Sequence, residues 1–246
     1  MTALSENLER LEAAIAAACR QAGRRRGEVE LMAVSKTYPA ATIAEAAALG
    51  LTLFGENRVQ EFAAKRDGLL PKSARTVLGV RFHLIGHLQS NKAARAAELF
   101  DVVDSVDSLR LAERLNDAAA RLERQLDALI EVNVGGEAAK SGVAPDSREL
   151  LALIDAQPQL ANLNLCGLMT VPPYTENPED GRPYFCRLRE LRDELRKRSG
   201  LALDQLSMGM SHDFEVAIEE GSTCVRVGTA IFGTRAYPET HRELPL

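Results

Sequence analysis

Eight short β-rich runs alternate with helix-like stretches along the whole chain, and few folds accept that order. The runs occupy 29–36, 51–56, 81–86, 102–106, 127–134, 163–171, 204–210 and 224–229. The fourth is the weakest, being short and carrying Asp104 at its middle. The stretches between them repeat apolar residues every three or four positions, the spacing of one helix face. Leu4, Leu8, Leu11 and Ile15 do so before the first run. Leu111, Leu115, Ala118 and Leu122 follow the fourth run, and Phe185, Leu188, Leu191 and Leu195 follow the sixth. Other helical patterns begin near 41, 57, 91, 146 and 212. Eight strands alternating with helices in 246 residues is the arithmetic of a (β/α)8 TIM barrel.

A doubly wound sheet also alternates strands and helices. Its dinucleotide-binding form needs a Gly-x-Gly-x-x-Gly turn after the first strand, where this chain has Ser35-Lys36-Thr37-Tyr38-Pro39. The runs also carry a polar alternate face, as with Glu131 and Asn133 between Ile130, Val132 and Val134. That suits a barrel, whose inner face turns polar toward the mouth. No linker-like segment and no repeat divides the sequence, so a single domain over 1–246 is expected.

A net charge of −5 argues against nucleic-acid binding, which needs a basic face. Trp is absent and aromatics make up 4% of the chain, so base-stacking platforms are not expected. Cys19, Cys166, Cys186 and Cys224 form no C-x-x-C pair and read as free thiols of a reducing compartment. His83 and His87 are four apart, but one falls in a strand and one in a loop, so no metal site is expected. The basic runs at 24–26 and 189–198 read as solvated helix ends. No apolar run approaches the roughly 20 residues of a membrane span. The N-terminus lacks the pattern of a secretory signal. The expected location is the cytoplasm.

Barrel active sites form at the C-terminal ends of the strands. There stand Lys36, Asn57, His83, His87, Met169, the segment SMGMS at 207–211 and the segment RVGT at 226–229. Lys36 shares a face with Met32 and Val34 if period-2 alternation holds. An amine among apolar neighbours is costly to keep charged, which favours Schiff-base chemistry with an aldehyde or ketone. A strand-end lysine reaching solvent has the same signature. Ser211 is placed to cap the following helix, and Gly228 and Thr229 offer a backbone N–H and a hydroxyl. Loops after strands seven and eight are the usual phosphate site of this fold. A reactive lysine with such a cradle points to pyridoxal 5′-phosphate. Arg226 turns inward with Cys224 and Gly228, within reach of a pyridine ring between the two anchors. A guanidinium does not yield its proton, so a ring nitrogen facing it stays unprotonated and the ring is a poor electron sink.

The segments AVSKTYP (33–39), FGENRVQE (54–61), FHLIGHLQSNK (82–92), GLMTV (167–171), LSMGMSHDFEVAI (206–218) and VRVGTAIFG (225–233) carry a further signal. In that order, across nearly the whole chain, they resemble the pyridoxal phosphate homeostasis protein family. The resemblance implies a single barrel of the alanine racemase N-terminal type. It implies a pyridoxal phosphate Schiff base at Lys36, Arg226 at the pyridine nitrogen, and phosphate contacts from Ser211, Gly228 and Thr229. Asn57, His83 and Met169 match family positions near the cofactor. One departure is His212, after Ser211, where an acidic residue is usual.

The function so implied is intracellular vitamin B6 homeostasis. The protein would hold the cofactor and supply or buffer it, with apo-enzymes as recipients, as a monomer or weak dimer and without catalytic turnover. The alternative is a pyridoxal phosphate-dependent amino-acid racemase. That needs a second base opposite Lys36. In alanine racemase the base comes from a separate C-terminal domain, and little chain follows the eighth strand here. A cofactor-free Schiff-base aldolase would use the same lysine and anion site.

Overall fold

The computed structural model describes residues 2–69 and 79–233. Its eight strands form a closed parallel barrel in sequence order: β1 (Glu30–Val34), β2 (Leu53–Glu56), β3 (Arg81–Leu84), β4 (Val102–Val106), β5 (Leu126–Glu131), β6 (Leu163–Met169), β7 (Gln205–Met210) and β8 (Cys224–Val227). Closure pairs the first strand with the last, Met32 beside Arg226 and Ala33 beside Val227. Around it run α1 (Ala3–Gln21), α2 (Ala40–Ala48), α3 (Val59–Lys65), α4 (Ala93–Leu99), α5 (Leu109–Arg121), α6 (Arg148–Ala156), α7 (Arg182–Ser199), α8 (Phe214–Glu219) and the short α9 (Thr229–Phe232). The fold is therefore the (β/α)8 barrel that the alternation predicts. Several strands stop before their predicted ends, β1 at Val34 rather than 36 and β3 at Leu84 rather than 86.

The helices bury the stripes read from the sequence. On α5, Leu111 and Leu115 are fully buried, and the Ser108 hydroxyl caps the helix by accepting the Leu111 N–H at 3.3 Å. Leu122 falls outside that stripe, since it sits at the helix end and is exposed. Strand residues of the outer face meet these helices in one large core. Within it Phe54, Phe82, Phe62 and Phe100 form a chain of rings with centroids 5.5, 4.7 and 4.8 Å apart.

The barrel interior holds two smaller apolar clusters, one of Met32, Leu53 and Cys224, the other of Val102, Leu129 and Met169. Polar residues share that interior. Asp104, the residue that weakens the fourth run, is buried and faces inward, and all five residues of β4 are buried. The basic run at 24–26 differs from its reading as a solvated helix end, because α1 stops at Gln21. Arg24 donates to the carbonyls of Ile218 (2.8 Å) and Ser222 (2.7 Å), stitching the segment after α1 to the turn before β8. The four cysteines are unbridged.

Candidate functional site

The strand C-termini enclose an open cavity of about 370 Å³. Six of the eight predicted cofactor-binding residues line it: Lys36, Asn57, Ser211, Arg226, Gly228 and Thr229. Val34, Ile85, Val171 and Met210 supply apolar walls, and His212 stands at the rim. No carboxylate is among the described residues that line it.

Lys36 lies two residues beyond β1, yet period-2 alternation still describes it, since Val34 of the same face lines the cavity with it. The ladder continues one step past the strand, where the Ser35 N–H donates to the Gly55 carbonyl at 3.0 Å. Thr37 then adopts φ 70°, in the left-handed region, and the chain leaves the barrel.

Arg226 is 4% exposed and forms the floor. Its Nη1 donates to the Ser207 carbonyl (2.5 Å) and hydroxyl (2.8 Å), and its Nη2 to the Thr170 carbonyl (2.6 Å). The Ser207 hydroxyl also lies 3.3 Å from Asp104 Oδ2, and Asp104 Oδ1 lies 2.9 Å from His83 Nδ1. A polar chain thus crosses the barrel from β3 to β8. Burial pulls the Arg226 pKa below its ordinary value, while nearby Asp104, Asp213 and Glu131 act the other way. A guanidinium so held remains a cation. Glu131, at the end of β5, is pushed up to about 7, by burial first and by Asp107 second, against the pull of Arg226.

His83 and Met169 are not brought to the cavity wall. His83 is buried against Asp104, and Met169 packs inside the barrel with Val102 and Leu129. A motif match reports which strand a residue belongs to, and depth along the barrel axis decides whether it reaches the mouth. His87 turns to Asp107 at 3.1 Å, away from His83.

The expected role of Ser211 as a helix cap is also corrected. The helix starts later, at Phe214, with Asp213 in the cap position, and Asp213 Oδ1 accepts the Met210 N–H at 2.6 Å. The Ser211 hydroxyl instead accepts the Gly228 N–H at 3.3 Å, tying the loop after β7 to the loop after β8. This turn requires Gly209, whose φ is 91° and where a Cβ would lie 2.5 Å from the Ala217 methyl. Gly228 and Thr229 open α9, so hydroxyl and backbone groups from two loops meet at one corner of the cavity. His212 pairs with the Thr175 carbonyl at 3.1 Å, which fixes Nε2 as the donor.

Ile85 and Val171 were not singled out from the sequence, and Met210 and His212 entered it only as part of a candidate segment and as a departure from the family pattern. For Ile85 a signal existed, as it stands two residues after the inward His83. Val171 and His212 sit in loops, where alternation carries no information, and Met210 is the last residue of β7.

The donor set defines the ligand chemistry. An amine, a buried guanidinium, two hydroxyls and a glycine backbone suit a molecule carrying both a carbonyl and an anion. The apolar walls suit a flat ring. Pyridoxal phosphate, expected from the sequence, has these three parts, and the residues present fit it.

Comparisons with known proteins agree. The pattern of the alanine racemase N-terminal domain matches residues 7–236. A pyridoxal phosphate homeostasis protein of Aquifex aeolicus is 47% identical over 232 residues, covering 94% of this chain and 98% of the relative. The structure of PipY from Synechococcus elongatus, solved with PLP bound, superposes with a TM-score of 0.79 at 38% identity, over 94% of this chain and 100% of that one. An alanine racemase of Clostridium difficile shares the fold, with a TM-score of 0.67 at 15% identity over 95% of this chain and 57% of its own.

Proposed function

Because the chain belongs to the pyridoxal phosphate homeostasis proteins, within the alanine racemase N-terminal domain family, we propose that it binds pyridoxal phosphate at the barrel mouth and serves vitamin B6 homeostasis by holding and releasing it. When bound, the cofactor supplies an electrophilic carbonyl and an electron-accepting ring. Lys36 would hold it covalently through its amine. Ser211, Thr229 and the backbone at Gly228 would hold the phosphate, and the apolar walls of Val34, Ile85 and Met210 would receive the ring. Arg226, a donor that keeps its proton, would face the ring nitrogen and disfavour its protonation. Asn57 lines the same cavity and would lie beside the cofactor.

The observation that carries this reading is the convergence of Lys36, Arg226 and the Ser211–Gly228–Thr229 corner on one cavity. Two further facts favour holding over turnover. Tyr38, the nearest tyrosine in sequence to Lys36, donates its hydroxyl to the Gly233 carbonyl at 3.2 Å and packs its ring, tilted by 34°, against Phe232. His83 is buried against Asp104. Neither is on the cavity wall, where a second base would act, and the imidazole that does stand at the rim, His212, is engaged with the Thr175 carbonyl.

The same reading places the protein in the cytoplasm as a monomer or weak dimer, one domain over 1–246, with apo-enzymes as recipients. No helix among the described residues is long and apolar enough to cross a membrane.

The test is borohydride reduction followed by peptide mapping. The label should fall on the peptide containing residue 36 and be lost in Lys36→Ala, while weak phosphate-dependent binding remains. Label found only on other lysines would overturn the assignment.

A further inference from the structure

A second lysine stands close behind the first, on the outer side of the barrel wall. Lys65, at the end of α3, is 10% exposed in its side chain, and its Nζ has four oxygen partners. It donates to the Ser35 carbonyl (3.1 Å) and the Tyr38 carbonyl (3.2 Å), which flank Lys36 on either side. It also meets Glu61 Oε1 at 3.1 Å and the fully buried Glu56 Oε1 at 2.9 Å. Three N–H bonds facing four acceptors leave this amine no donor to spare.

The two carboxylates bind the same segment. Glu56 Oε1 accepts the Ser35 hydroxyl at 2.6 Å, and Glu61 Oε1 accepts the Thr37 N–H at 2.5 Å. Burial works to raise the Glu61 carboxyl, but the Thr37 amide and the Lys65 ammonium outweigh it and hold it below its ordinary value. Thr37 sits at φ 70°, a conformation disfavoured for a β-branched residue, which persists only where the surroundings impose it. Ion pairing at 61 and 65 has the spacing of an ordinary surface helix pair, yet here it is turned inward onto a loop.

We propose that Lys65, with Glu56 and Glu61, is a positioning clamp that fixes the backbone on both sides of Lys36 and so aims the Lys36 amine into the cavity. The inference rests on the attachment proposed above, in which the amine nitrogen bonds to the aldehyde carbon and the carbonyl oxygen leaves as water. The clamp touches no ligand. Its loss therefore acts on the attachment step and spares the phosphate corner and Arg226.

The experiment measures the rate of borohydride-trapped attachment at residue 36 beside the affinity for pyridoxine 5′-phosphate, which has no aldehyde. Lys65→Met should slow attachment at least tenfold and change analogue affinity less than twofold, and Lys65→Arg should restore part of the rate. Should Lys65→Met fail to fold, Glu61→Gln gives the same split. Its Thr37 amide should exchange faster with deuterium and its attachment rate fall at least threefold. Faster Thr37 exchange with an unchanged attachment rate would overturn the clamp alone. So would a parallel fall in attachment and analogue affinity. Absence of label at residue 36 in the unaltered protein would overturn the attachment reading and the clamp with it.

Discussion

Arg226 shows how a charge survives inside this barrel. Taking a cation out of water is costly unless its hydrogen bonds are replaced, and here the Ser207 and Thr170 carbonyls replace them, with Asp104 one step behind. Glu131 is the less well provided neighbour, since its Oε2 is buried and has no partner. Its folded pKa of about 7 lies above the ordinary 4.5, so the folded state holds the proton more tightly. The resulting stabilisation is complete below about pH 4.5 and is lost as pH rises through about 7. Glu131→Gln should therefore match the parent protein at pH 4 and be more stable at pH 8, by about 2 kcal/mol after discounting for partial exposure. Chemical denaturation at the two pH values measures this, and an equal difference at both would contradict it. At the opposite corner, each charge-assisted hydrogen bond from Ser211, Gly228 or Thr229 is worth roughly 1.5–3 kcal/mol. Pyridoxal, which lacks the phosphate, should then bind at least about a hundredfold more weakly than pyridoxal phosphate. Equal affinities by titration would remove the phosphate assignment.

At the level of strands and loops, the sequence is informative wherever a period repeats. Alternation along β8 turned Arg226 inward and Val225 and Val227 outward, and the latter two lie in the outer core. The same rule held for Lys36 beyond the end of its strand. It gave no depth, so His83 and Met169 could be set on the inner face without showing that they stop short of the mouth. Nor did it give loop partners. Ser211 looked like a cap because a hydroxyl precedes an apolar helical stripe, but the helix begins three residues later and the hydroxyl serves β8 instead. Close backbone approach is similarly silent in the sequence. Gly86, after β3, lies so near the loop after β2 that a Cβ there would come within 2.4 Å of the Asn57 carbonyl oxygen. Gly86→Ala should cost about 1–3 kcal/mol through overpacking and move Asn57. Ligand affinity should fall while borohydride still labels residue 36. Thermal melts and a titration would check both halves, and wild-type affinity would show that Asn57 does not help to hold the ring.

For the molecule as a whole, the order of eight strands and their helices was legible from end to end, because a barrel repeats one unit and each repeat reinforces the assignment. Its function was legible chiefly through resemblance, since a lysine at a strand end and a glycine turn are common to many barrels. Holding and turnover make opposite predictions for the intact protein. Loaded protein incubated with L-alanine in deuterium oxide should show negligible exchange at Cα and should still pass its cofactor to an apo-enzyme. Rapid exchange with formation of the D-isomer would instead establish a racemase.

Barrel closure also has a consequence in time. Lys36 follows the first strand and Thr229 the last, about 190 residues apart, and they become neighbours only when β1 pairs with β8. A ribosome adding roughly 5–20 residues per second therefore needs about 10–40 s to bring the second half of the site out behind the first. During that interval the nascent chain offers its lysine without the phosphate corner or the guanidinium. On the proposed reading, a chain lacking the last strand, and with it Arg226 and the Gly228–Thr229 corner, should hold the aldehyde far more weakly than the closed barrel.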